Sequence, residues 1–243
     1  LYDDGTGVIG ETNLIFENTE LANLRGLDSP ARSDKYEMSP LCVAIYAGHW
    51  PTGPGTERPD VATHIAMDHL SCHDYFDWRT PCLMTFNFGD CNGGCTDVAV
   101  ADSEMRDTYA MQGWDPAGSA VFFVWQDVTT IVRTTFENGG VVDAGETNVC
   151  EGGILYMSAS ILGRLENVSI TNSKAAFGGA VTFFGSGNFE IVNSFFQGNV
   201  ALEQGGAVSH KGPGPLLVAA SIFRMNQVAR EIEVPVTMIV HVF

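Results

Sequence analysis

Apolar and polar positions alternate with a period near two in several short stretches of this chain. They do so in TNLIFENTELANL (residues 12–24), SAVFFVWQDVTTIV (119–132), FEIVNSFF (189–196) and LLVAASIF (216–223). These stretches are rich in β-branched and aromatic residues, and Gly, Asn, Pro and Ser fill the pieces between them, so the pattern predicts short strands joined by sharp bends.

The strands recur at a fixed interval. Gly178-Gly179-Ala180-Val181 and Gly205-Gly206-Ala207-Val208 lie 27 residues apart, and Asn172, Asn199 and Asn226 keep the same step, as do Phe196 with Phe223 and Ser194 with Ser221. An earlier copy, Gly152-Gly153-Ile154-Leu155, precedes the first by 26 residues. A period of 20 to 50 residues marks a stacked repeat whose units bury their apolar faces only against one another. Three short strands and their bends use about 20 to 30 residues, so each unit fits one rung of a parallel β-helix, with rungs about 4.8 Å apart. The Gly-Gly pairs Gly178-Gly179 and Gly205-Gly206 then mark a tight bend. Asn172, Asn199 and Asn226 are expected to stack amide on amide in one column.

The segments SFFQGN and SIFRMN match an F-x-x-N element, and the two GGAV copies match a G-G-A-[ILV] element. In these residues the chain resembles the chlamydial polymorphic outer-membrane protein repeat, over about residues 138–226 and most clearly after Asn172. An earlier rung carries SITN in place of F-x-x-N, and TFEN (135–138) is one residue short. The resemblance implies an all-β, right-handed parallel β-helix of the pectin-lyase-like kind, found in surface proteins that are often adhesins. None of the motif residues is itself an adhesive or catalytic group.

Three regions follow from the pattern. Residues 1–27 read as N-terminal β-helix rungs, 28–118 as a Cys-rich, disulfide-tied irregular insertion carrying a few elements of its own, and 119–243 as β-helix repeats of about 27 residues. The chain opens without an initiator Met or a recognisable targeting segment. Its last stretch, EIEVPVTMIVHVF (231–243), is apolar strand without a polar cap, which predicts either further coils or a protein partner at that end.

Composition narrows the function classes. Lys and Arg total 12 against 29 Asp and Glu, and the resulting charge of -17 repels phosphate backbones, so nucleic acid is not an expected partner. No apolar run is long enough for a membrane-spanning helix. Five of the six cysteines, Cys42, Cys72, Cys82, Cys91 and Cys95, fall in the proposed insertion; Cys150 is the sixth. Such density predicts disulfides and a secreted or cell-surface protein. Asn167-Val168-Ser169 is an N-glycosylation triplet and fits that compartment.

Candidate chemistry is sparse. His64, His69 and His73 with Asp68, Cys72 and Asp74 form the densest group of potential metal ligands, and on a helix His69 and His73 would share a face. The HExxH pattern is missing and Cys72 is more simply a disulfide partner, so no metal site is assigned. GDCNGGC (89–95) reads as a disulfide-bearing turn. Asp97, Asp102, Glu104 and Asp107 could hold Ca²⁺ through carboxylate oxygens, but without EF-hand spacing they read as a solvated face.

Polysaccharide lyases and glycosidases occupy related folds, so a polysaccharide is a candidate ligand. VWQDV (124–128) followed by Arg133 is similar to the W-x-D-H region of pectate lyases, without the His. Glu166, Glu190 and Glu203 form no visible file along one face. The expectation is therefore a non-catalytic structural or adhesive module, with a carbohydrate-active enzyme as the alternative.

Overall fold

The computed structural model describes residues 12–23, 43–47, 63–77, 83–87, 96–110, 122–141 and 153–229. The described chain is all-β. Its strands begin with β1 (Thr12–Glu17), β2 (Glu20–Ala22), β3 (Val43–Ala47), β4 (Thr63–Asp68), β5 (Ser71–Asp77) and β6 (Leu83–Asn87). They continue through β7 (Thr96–Ala101), β8 (Glu104–Ala110), β9 (Phe122–Val132), β10 (Thr135–Val141), β11 (Leu155–Glu166), β12 (Ser169–Phe177) and β13 (Val181–Phe184). The last are β14 (Asn188–Val192), β15 (Phe195–Gln197), β16 (Val200–Gln204), β17 (Val208–Lys211), β18 (Leu216–Ala219), β19 (Ile222–Arg224) and β20 (Gln227–Val228).

All pairings among these strands are parallel. One sheet follows the path β1-β4-β7-β9-β11-β13-β17 and the other β19-β15-β12-β10-β8-β5-β2. The chain thus alternates between the sheets, and each return adds a strand beside its predecessor. Parallel sheets need their apolar faces covered, and here the inward residues of both sheets supply one core.

Three register files run through that core. Leu14, Ile65, Val98, Thr129, Gly163, Phe189 and Leu216 form one, and Phe16, Met67, Val100, Ile131, Leu165, Ile191 and Val218 form the second. The third, on the other sheet, is Leu21, Cys72, Met105, Phe136, Ile170, Phe196 and Phe223. Neighbours in a file accommodate one another: the Phe196 and Phe223 rings stack at 4.7 Å and 3°. Gly163 has no Cβ because the Phe189 ring lies over that position.

The stretch 28–118, expected as an irregular insertion, contributes β4, β5, β7 and β8 to the two sheets in continuous register with β1, β2, β9 and β10. THIAMDHLSCHDY, which a helix could have claimed, is β4, a corner and β5. Its polar residues had hidden an alternating inward set, in which Ile65, Met67, Leu70, Cys72 and Tyr75 are all buried. The interval there also differs. Facing residues are separated by 33 positions for His64 and Asp97, 31 for Asp102 and Arg133, 34 for Asn138 and Asn172, then 26 for Val168 and Ser194 and 27 for Ser194 and Ser221. Longer connections stretch the early repeats while the strand register stays fixed.

Candidate functional site

The corner between the two sheets is where adjacent layers are tied. At this corner each layer places one residue at positive φ: Asn18, His69, Asp102, Arg133, Asn167, Asn193 and Ala220. Left-handed backbone is uncommon outside Gly and is enriched in Asn and Asp; four of these seven are Asn or Asp, His69 and Arg133 stand in with other polar side chains, and Ala220 alone is apolar. Each backbone N–H from Asn18 to Asn193 donates to the carbonyl one layer on, as from Asp102 to Val132 at 3.2 Å and from Arg133 to Glu166 at 3.0 Å. The next residue frequently carries a hydroxyl that folds back on the strand just ended. Ser103, Thr134, Ser194 and Ser221 donate to the carbonyls of Ala101, Val132, Val192 and Ala219 at 2.6, 2.9, 2.8 and 2.9 Å. The same hydroxyls accept from the layer before: Leu70 N–H reaches Ser103 Oγ, and Ser194 N–H reaches Ser221 Oγ, both at 3.0 Å.

A file of charges lies along this corner and the adjoining strand ends. His69 Nδ1 is 3.1 Å from Asp68, Arg133 holds Asp102 in a two-pronged pair at 2.7 and 2.6 Å, and Arg164 bridges Glu166 at 2.9 Å and Glu190 at 2.5 Å. The Arg133 guanidinium, by hydrogen bonding first and charge second, holds the Asp102 carboxyl below its ordinary range; Arg133 and Arg164 are correspondingly raised. This is the Asp, Glu and Arg file that the 27-residue interval concealed, because its members are set 31, 33 and 34 residues apart in the earlier layers. Its chemistry is that of matched ion pairs. A carboxylate fixed on a guanidinium stays ionised and has no proton to give, so Asp102 is unsuited to general-acid work.

The structure brings Asn199 and Asn226 together and leaves Asn172 out of their column. Asn199 Nδ2 donates to Asn226 Oδ1 at 2.9 Å, and Asn199 Oδ1 accepts from the N–H and Oγ of Ser173 at 3.0 and 2.7 Å. Asn172 instead occupies a second left-handed corner with Asn23, Asp74, Asp107, Asn138, Gly198 and Met225. Its Nδ2 donates to Asn138 Oδ1 at 3.2 Å, and Asn138 donates to Asp107 at 3.3 Å. The facing pairs are Ile170 with Phe196 and Thr171 with Gln197, so the step here is 26 and the Asn of SITN falls one place short of the inward column. The same shift explains the short TFEN. Two Asn ladders run side by side, one at the solvent and one inside.

Gly178 and Gly205 have φ of 55° and 66°, and their neighbours Gly179 and Gly206 press against the next layer. Gly178 N–H donates to Gln204 and Gly179 N–H to Gly205, both at 3.0 Å. A Cβ on Gly179 would collide with the Gly206 carbonyl and the Val200 backbone, so the second Gly of each pair is required by close approach and the first by its φ.

Cys72 faces the core at 1% exposure and is disulfide-bonded. Cys42, Cys82, Cys91, Cys95 and Cys150, and the whole of 230–243 with the expected C-terminal contact surface, lie outside the described residues. Asn167 is exposed at its corner, with Ser169 opening β12. Asp127 is buried and accepts from Ser160 Oγ at 2.6 Å, well apart in role from Arg133, which is engaged by Asp102. Asp97 pairs with His64, Asp102 with Arg133, Glu104 with Arg106 and Asp107 with Asn138, so these four carboxylates turn to separate partners. Among the described residues no three His, Cys, Asp or Glu side chains converge to hold a metal ion. No helix among them is long and apolar enough to cross a membrane.

The sequence carried a signal for the corners that the GGAV interval did not use. HLSCHDY, DSEMRDT, RTTFENG, NVSITNS, NSFFQGN and ASIFRMN align from 69, 102, 133, 167, 193 and 220, each with its core residue at the fourth place and a left-handed residue at the sixth. Comparisons with family models, with curated proteins and with solved structures find no match for this chain.

Proposed function

We propose that this chain winds as a right-handed parallel β-helix and serves as a non-catalytic structural or adhesive module of a secreted or cell-surface protein, with repeats of the chlamydial polymorphic outer-membrane protein type. The observation that carries this reading is the use made of its polar residues. At the corners, hydroxyls, amides and guanidinium–carboxylate pairs are directed at the neighbouring layer, which is what a stacked scaffold needs and what a catalytic groove would have to give up. Right-handed winding is supported by the strong preference of parallel crossovers for that hand. The disulfide at Cys72 and the exposed glycosylation triplet at Asn167 support an oxidising compartment.

The reading is tested by incubating the purified chain with a panel of acidic and neutral polysaccharides, with and without Ca²⁺, and following release of reducing ends and of unsaturated products. Saturable retention on cell surfaces or polymers without any product release is the expected result. Product release that is lost in Arg133→Asn or Glu190→Gln would overturn it in favour of a carbohydrate-active enzyme.

A further inference from the structure

The described histidines fall toward the two ends of the stack, and their surroundings differ in kind there. His64, His69 and His73 all lie on β4, β5 and the corner between them. His73 places Nε2 3.0 Å from Glu20 of β2 and Nδ1 2.8 Å from Asp74, while β8 presents Arg106 and Glu104 on its other side. His64 is paired with Asp97 of β7 and stands in register with the uncharged Asn13 of β1. His69 stands by Asp68, near the Asp102–Arg133 pair. Protonation here places cations among carboxylates that belong to three successive layers.

His210 has the opposite setting. It follows Phe183 in register on β17, its ring meets the Phe189 ring edge-on at 5.5 Å, and its Nε2 is buried with no hydrogen-bond partner among the described residues. The β13 residues beside it, Val181, Thr182, Phe183 and Phe184, bring no titratable group. On β14, Glu190 is engaged by Arg164, and Lys211 of its own strand sits over the Phe177 ring. A proton on His210 would set a charge against the Phe183 and Phe189 rings with no carboxylate among the described residues paired to it.

We propose that acidification acts on the two ends of this stack in opposite senses, tightening the N-terminal layers through His73 and its carboxylate partners and loosening the C-terminal layers through His210. The signs follow from linkage. Hydrogen bonds to Asp74 and then Glu20 raise His73, so its contribution is fully present below the ordinary imidazole value of 6.5 and is lost as pH rises through the raised one. Burial lowers His210, so its layer is stable while the ring is neutral and loses stability as pH falls below 6.5 toward the lowered value.

Amide hydrogen exchange at about pH 7.5 and about pH 5.5, corrected for intrinsic rates, tests this on the intact chain. Acidification should raise protection of β2 and β5 several-fold and lower that of β13 and β17 several-fold. His73→Gln should abolish the first response alone and His210→Phe the second alone. Imidazole titration by NMR in the unmutated protein gives a readout that needs no variant, with His73 titrating above 6.5 and His210 below it. Equal responses at both ends, responses that survive the substitutions, or a His210 that titrates as a free imidazole would each overturn the proposal.

Discussion

Replacing Asn199 with Ala and Asn172 with Gly separates the two Asn ladders, which the sequence treats as one. Asn199 is fully buried, and its amide accepts from Ser173 N–H and Oγ and donates to the Ile170 carbonyl at 3.0 Å and to Asn226 Oδ1. With Ala in its place the Ser173 N–H loses its acceptor in a dry interior and the Ile170 carbonyl loses a donor, whereas Ser173 Oγ keeps its bond to the Gly179 carbonyl at 2.6 Å. One buried orphan costs about 1 to 3 kcal/mol, so two groups and the vacated amide volume give about 2 to 5 kcal/mol. Asn172 is exposed, makes one side-chain bond to Asn138, and has φ of 55°, which Gly adopts freely and as Gly198 already does in the next layer. Asn172→Gly should stay within about 0.5 kcal/mol of the parent. Because stacked repeats unfold in parts, the assay is urea denaturation followed by circular dichroism, joined to hydrogen exchange over β12 and β15. Equal losses for the two variants, or a loss below about 1 kcal/mol for Asn199→Ala, would refute the assignment of Asn199 to the inner column.

Phe196→Ala removes a fully buried ring from the Phe136–Ile170–Phe196–Phe223 file and is expected to cost about 3 to 5 kcal/mol, against little for the outward Phe195→Ala, as read from the same denaturation curves. Gly179→Ala drives a Cβ into the next layer's backbone and should abolish cooperative unfolding of the segment 178–229, while Gly198→Asn, at a corner that other layers fill with Asn, should leave it intact. Arg133→Asn should return the Asp102 carboxyl to its ordinary range in a carbon-detected NMR titration. In the parent the Asp102 contribution is present above the ordinary carboxylate value of 3.8 and lost as pH falls through the lowered one, so the variant should lose that part of the acid dependence and some salt sensitivity.

By itself the sequence determined that the chain is all-β and that its strands lie in parallel sheets, since alternating β-branched and aromatic residues recur with Gly-Gly bends where no Cβ could fit. That much is local: Gly178, Gly205 and the inward Phe196 and Phe223 carry their conformational requirement wherever they are placed. Tertiary structure decided the rest. The stretch holding β4, β5, β7 and β8 looked irregular because its steps of 33 and 31 residues to the following layers depart from 27, and only the register shows Ile65 beside Val98 and Cys72 beside Met105. Connections of variable length are tolerated because closing a longer loop costs little more than closing a short one, whereas a one-residue slip within a strand would turn its apolar side to water. For that reason the Arg133–Asp102 and Arg164–Glu190 pairs, and the difference between Asn172 and Asn199, follow from the strand register and not from counting along the chain.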